Sequence, residues 1–132
     1  MRVTVDTNVV VRLLTTDDPA QTRLAAEALD AAETVVLTTP MLCELIWVLR
    51  RAYRMSAGDA AEALRGLMTR DNAVFDQAVV EAGLRGLEVG GDFADSAIAF
   101  EGRRAGAQTF VTFDRQAARI LTAQGEAAQL LS

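Results

Sequence analysis

Short runs of β-branched residues alternate with longer stretches of helical periodicity through almost the whole chain, and nothing else in the sequence narrows the fold as much. Val3 to Val5, Val35-Val36-Leu37, Ala73-Val74-Phe75 and Gln108 to Thr112 read as strands, and Ala128 to Leu131 reads as an edge strand closing the sheet. The intervals between them are too long for hairpins. Parallel neighbours need a crossover of a dozen or more residues, usually a helix, so the alternation predicts an α/β domain with a mostly parallel sheet. At 132 residues, one domain over 1–132 is expected, burying roughly two-thirds of the surface of the unfolded chain. No internal repeat, linker or low-complexity segment interrupts it.

Helix ends are marked by their chemistry. Asp17-Asp18-Pro19 supplies a cap followed by proline for a helix over about 20–31. Thr38-Thr39-Pro40 does the same for a helix over about 41–53, where Leu42, Leu45, Ile46, Leu49 and Tyr53 keep a 3.6-residue stripe. A short helix is expected through Val9 to Leu14. Ser56 and Asp59 resemble a capping box for a helix through Leu64 and Leu67. A further helix covers about 77–87, Gly90-Gly91 breaks it, and Asp92 to Asp95 leads into another that ends near Ala105 with Gly106 beyond its cap. The last helical segment carries Arg115 to Ile120.

Composition removes whole classes of chemistry. The chain has no histidine, and all 13 basic residues are arginine. Ser-His-Asp and Cys-His hydrolysis, histidine-based ribonuclease chemistry, the P-loop lysine and Schiff-base lysine are therefore excluded. The single cysteine, Cys43, cannot build a structural zinc site without histidine and is expected in the core. One cysteine and the lack of a signal-peptide or membrane-spanning stretch lead to the expectation of a cytoplasmic protein that does not engage a membrane. A net charge of -5 argues against broad attraction to a nucleic acid backbone.

What remains is carboxylate chemistry. Asp6 follows strand one, Asp114 follows strand four, Asp95 opens a helix after the glycine break, and Glu44 lies near the start of the helix after strand two. Ligands of open α/β sheets bind beyond the carboxyl ends of the strands, so Asp6 and Asp114 would meet there if strands one and four are neighbours. Four carboxylates in one small space repel unless a cation neutralises them. Oxygen-only ligands suit Mg²⁺ or Mn²⁺, which activate water and stabilise a leaving oxygen without a histidine base. Each acid also has a plainer reading: Asp6 as a loop residue, Asp92, Asp95 and Asp114 as helix caps or dipole charges. Glu44, between Cys43 and Leu45-Ile46-Trp47, is expected to need a partner in so apolar a stretch. Arg12, Arg50, Arg51, Arg103, Arg104 and Arg115 are candidates to hold a phosphate backbone.

The segments VDTNVVVRLL, TTPMLCELIWVL, DFADSAIAFEGRRAGA and FVTFDRQAARI, in this order, resemble the PIN domain, and specifically VapC-type toxins of bacterial toxin-antitoxin pairs. The resemblance implies a flavodoxin-like parallel sheet in the order 3-2-1-4-5, flanked by helices. It implies Mg²⁺- or Mn²⁺-dependent endonucleolytic cleavage of RNA, with one or two ions held mainly by Asp6, Asp95 and Asp114, and Glu44 binding metal or orienting water. Asn8 and Thr112 match accompanying polar positions, and Asp92 is a fifth acid near the site. Arg12 and Arg115 are the RNA contacts assigned. A homodimer, a VapB-type antitoxin that blocks the site, and promoter DNA reached through the antitoxin complex are implied as partners.

Two other readings stay open. A Mg²⁺-dependent aspartate phosphoryl-transfer protein shares the fold class, but such families use a strand-end lysine, and Asp6-Thr7-Asn8 departs from the paired-aspartate motif of the phosphatases. A non-catalytic PIN-like module could keep its acids for structure and serve only to dimerise or bind a partner.

Overall fold

The computed structural model describes residues 1–132. The chain divides into two compact units, Met1–Asp76 and Gln77–Ser132.

The first unit runs β1 (Arg2–Thr4), α1 (Thr7–Leu14), α2 (Pro19–Ala31), β2 (Thr34–Val36), α3 (Thr39–Arg51), α4 (Ala57–Met68) and β3 (Ala73–Val74). Its three strands form a parallel ladder with β2 central, in a register pairing Val3 with Val35 and Val35 with Ala73. The predicted caps form: Asp18, Thr38 and Ser56 each accept a backbone N–H of the following first turn. Val10, Leu29, Leu42, Leu45, Leu49 and Leu64 are fully buried and make the core of this unit. Tyr53 falls outside the α3 stripe. The helix ends at Arg51, and the tyrosine hydroxyl donates to Asp17 Oδ2 at 2.8 Å instead.

The second unit runs α5 (Gln77–Glu88), α6 (Phe93–Arg104), β4 (Phe110–Thr112), α7 (Arg115–Ala123) and β5 (Ala128–Leu130). Its two strands are parallel, with Phe110 paired to Ala128. All three helices end with a glycine at positive φ, Gly90, Gly106 and Gly125. After α6 the Gly106 N–H reaches the Arg103 carbonyl and the Ala107 N–H the Gly102 carbonyl, the paired bonds of a Schellman cap. These caps occupy residues before β4, which is why the strand begins at Phe110 rather than Gln108.

Helix α5 packs tightly on α6 because it carries glycine at the contact. A Cβ built on Gly83 would stand 2.5 Å from the Phe93 ring, and one on Gly86 would stand 1.9 Å from Ser96 Oγ. Phe93 and Ser96 are buried there, which fixes the rotation of α6 and leaves Asp92 exposed and Asp95 half-buried.

The protein is thus an α/β fold with parallel strands. The expected order 3-2-1-4-5 is present as its two parts, 3-2-1 and 4-5. Strand ends differ by a residue or two: Val5, Leu37 and Phe75 leave the ladders where the chain turns toward the next cap. Cys43 is half-buried rather than a core residue, because it sits beside the α3 stripe and not in it.

Candidate functional site

In the first unit, the chain leaves β1 and Asp6 becomes the N-cap of α1. Its Oδ1 accepts the N–H of Asn8 at 2.9 Å and that of Val9 at 3.4 Å. Oδ2 makes no bond within the chain. An aspartate is thereby oriented by the backbone while one oxygen stays available. Helix α1 starts at Thr7, two residues earlier than expected, because this cap draws Thr7 and Asn8 into the first turn.

Glu44 lies on the second turn of α3 and is exposed. The apolar neighbours that suggested burial belong to another face: Leu42, Leu45, Ile46 and Leu49 form the buried stripe, and Glu44 lies off it. It does have a partner. The Thr7 hydroxyl donates to Glu44 Oε1. Asp6, Thr7, Asn8 and Glu44 share the wall of a pocket of about 570 Å³ with Pro40, Met41 and Val48.

Arg12 lines a neighbouring pocket of about 500 Å³ that also includes Asp6 and Asn8. Its guanidinium is already engaged: Nε donates to Gln21 Oε1 at 2.7 Å and Nη1 pairs with Asp17 Oδ1 at 3.1 Å. Hydrogen bonds from Tyr53 and Thr15, and then the Arg12 charge, hold the Asp17 carboxyl below the usual carboxylate range. An RNA phosphate would therefore have to share Arg12 with Asp17. Sequence reasoning missed this cluster, since Asp17 and Tyr53 are 36 residues apart.

In the second unit, Asp92 caps α6 by accepting the Ala94 N–H at 3.3 Å, and Asp114 caps α7, its Oδ1 accepting Gln116 at 2.8 Å and Ala117 at 3.1 Å. Asp114 has the geometry of Asp6, with Oδ2 left over. Thr112 supports it from the strand end: the Asp114 N–H donates to Thr112 Oγ1 at 3.0 Å. Asp95 sits in the first turn of α6. Its carboxyl is pushed above its ordinary value, first by burial, then by the charges of Asp92 and Asp114. Arg115 is exposed on the first residue of α7.

Of the expected acids, Asp6 and Glu44 belong to the first unit and Asp92, Asp95 and Asp114 to the second. Within neither unit does a group of three histidine, cysteine, aspartate or glutamate side chains come together to hold a metal ion. Asp6, Asp92 and Asp114 are each turned toward the N–H groups of their own helix. In donor chemistry the residues fit a hard divalent cation, being oxygen donors throughout, with free carboxylate oxygens on Asp6 and Asp114.

Comparison with known families gives a match to the PIN domain over residues 3–121. The chain belongs to the PIN-domain family. PIN domains are generally metal-dependent nucleases, and they usually use divalent ions such as Mg²⁺. The matched span includes Asp6, Glu44, Asp92, Asp95 and Asp114. No curated protein matches this PIN-domain chain. None of its helices is long and apolar enough to cross a membrane.

Proposed function

We propose that the chain is a VapC-type endoribonuclease toxin that cleaves RNA with Mg²⁺ or Mn²⁺, in which Asp6, Asp95 and Asp114 bind the ion and Glu44 either joins them or orients water. The observation that carries this reading is the PIN-domain match over residues 3–121. When bound, the ion would supply a water activated at neutral pH and a positive charge for the phosphate. The chain's own residues do the rest. The helix caps hold Asp6 and Asp114 with one oxygen forward, Asn8 lines the pocket beside Asp6, and Thr112 fixes the backbone at Asp114. Arg115, free of intramolecular partners, is the better candidate for the RNA backbone, and Arg12 contributes if it can be drawn from Asp17. A homodimer, inhibition by a VapB-type antitoxin and repression of promoter DNA through that complex belong to the same reading, as does a cytoplasmic location.

A non-catalytic binding module is the second reading. It is favoured by the caps themselves, which give Asp6, Asp92 and Asp114 a structural role without any ion. Cleavage of total cellular RNA by the purified, antitoxin-free protein separates the two. Discrete fragments with Mg²⁺ or Mn²⁺ that vanish with EDTA and in Asp114→Asn are expected. A folded protein that cuts nothing and binds no Mn²⁺ would instead be the binding module.

A further inference from the structure

We infer that Thr7 is a positioning residue for Glu44: its hydroxyl fixes one carboxylate oxygen and leaves Oε2 to meet a divalent cation. The inference rests on the nuclease reading above and assigns a role to a residue that reading leaves without one.

Thr7 is only 9% exposed. A hydroxyl that buried needs a partner. Threonine inside a helix commonly turns its hydroxyl back to the carbonyl one turn earlier, but Thr7 is the first residue of α1 and has no preceding turn. It reaches instead across 37 positions of sequence to Glu44 Oε1 on α3. Glu44 has the opposite surroundings. It is exposed, its side chain makes no other hydrogen bond, and that long side chain has considerable rotamer freedom to lose on being fixed. The bond to Thr7 is what restrains it.

The first turn of α1 therefore orients both candidate site acids of this unit, Asp6 and Glu44. Backbone N–H groups of Asn8 and Val9 hold Asp6, and the Thr7 side chain holds Glu44, with Asp6, Thr7 and Glu44 on the wall of one pocket. Groups that orient a metal ligand from behind commonly matter by 10- to 100-fold in affinity or activity, and about that loss is expected when the hydroxyl is removed.

The test compares wild type with Thr7→Val, Thr7→Ala and Thr7→Ser, each alone and in a Glu44→Ala background. Mn²⁺ affinity is measured by calorimetry, and kcat and KM on an RNA that the wild type cuts. Melting temperatures identify any variant that does not fold; Thr7→Ala keeps the comparison open if Thr7→Val fails. Loss of the hydroxyl is expected to weaken Mn²⁺ binding or lower kcat by ~10-fold or more with KM little changed. Thr7→Ser should restore most of it, and no Thr7 change should matter once Glu44 is alanine. Equal loss in Thr7→Ser, or an effect that persists in Glu44→Ala, would show Thr7 acting through packing and overturn the inference. Wild-type behaviour in Thr7→Val or Thr7→Ala overturns it as well. A wild type that neither binds Mn²⁺ nor cleaves RNA overturns the nuclease reading itself, a result distinct from these.

Discussion

At Asp6 and Asp114 one side chain performs two tasks, and the choice of substitution decides which task is tested. Oδ1 of each caps a helix, so alanine would remove the cap at a cost of about 1 kcal/mol together with the free oxygen. Asparagine caps as well as aspartate. Asp6→Asn and Asp114→Asn are therefore expected to abolish metal-dependent cleavage while melting at or above the wild-type temperature, whereas the alanine variants lose cleavage and melt lower. Full activity in either asparagine variant would remove that residue from the chemistry. Asp95 permits a pH experiment. Its proton is held more tightly in the folded chain than in the unfolded one, so the folded state binds more protons between the two values. Stability accordingly falls as pH rises from about 3.9, the ordinary aspartate value, through the raised folded value. Asp95→Asn escapes this penalty. In metal-free urea titrations its midpoint should exceed that of wild type at pH 7, with the difference shrinking at pH 4. An equal difference at both pH values would mean that Asp95 carries no net electrostatic penalty.

At the level of elements, helix ends were readable from sequence because they are set locally. Asp18-Pro19, Thr38-Pro40, Ser56 and Gly106 act within one turn, and each does in the fold what its type predicts. The placement of the candidate aspartates at element ends was readable for the same reason. Glu44 was misread for its surroundings, although its offset from the Leu42, Leu45, Ile46, Leu49 stripe already placed it off the buried face. The Thr7–Glu44 bond and the Arg12–Asp17–Tyr53 cluster had no sequence signature, because each depends on how two helices meet. The α5–α6 contact belongs with them. Glycine inside a helix ordinarily costs up to ~1 kcal/mol relative to alanine, and at exposed Gly66 of α4, where a Cβ would meet nothing, Gly66→Ala should recover roughly that. Gly86→Ala must do the reverse. Its Cβ would overlap Ser96, and overpacking of this kind costs about 1–3 kcal/mol. Because Ser96 adjoins Asp95, Gly86→Ala should also lower cleavage. Urea midpoints of the two variants moving in the same direction would contradict the packing account.

For the molecule as a whole, the proposed metal binding can be tested with one substitution in each unit. Asp6 and Glu44 belong to Met1–Asp76, and Asp92, Asp95 and Asp114 to Gln77–Ser132. Of 18 acids against 13 arginines, these five account for the whole imbalance of -5, so neutralising them would leave a chain with no net charge to repel RNA. An ion that binds only the folded state stabilises it by about 2.7 kcal/mol at a concentration 100 times its Kd, which raises Tm by on the order of 5–10 °C for a chain of this size. Mn²⁺ should produce such a shift in the wild type. Asp6→Asn and Asp95→Asn are one substitution in each unit, and both should lose most of it if the four acids act together. A full shift in Asp6→Asn alongside none in Asp95→Asn would instead assign the ion to Asp92, Asp95 and Asp114, and the role of Asp6 would shrink to capping α1.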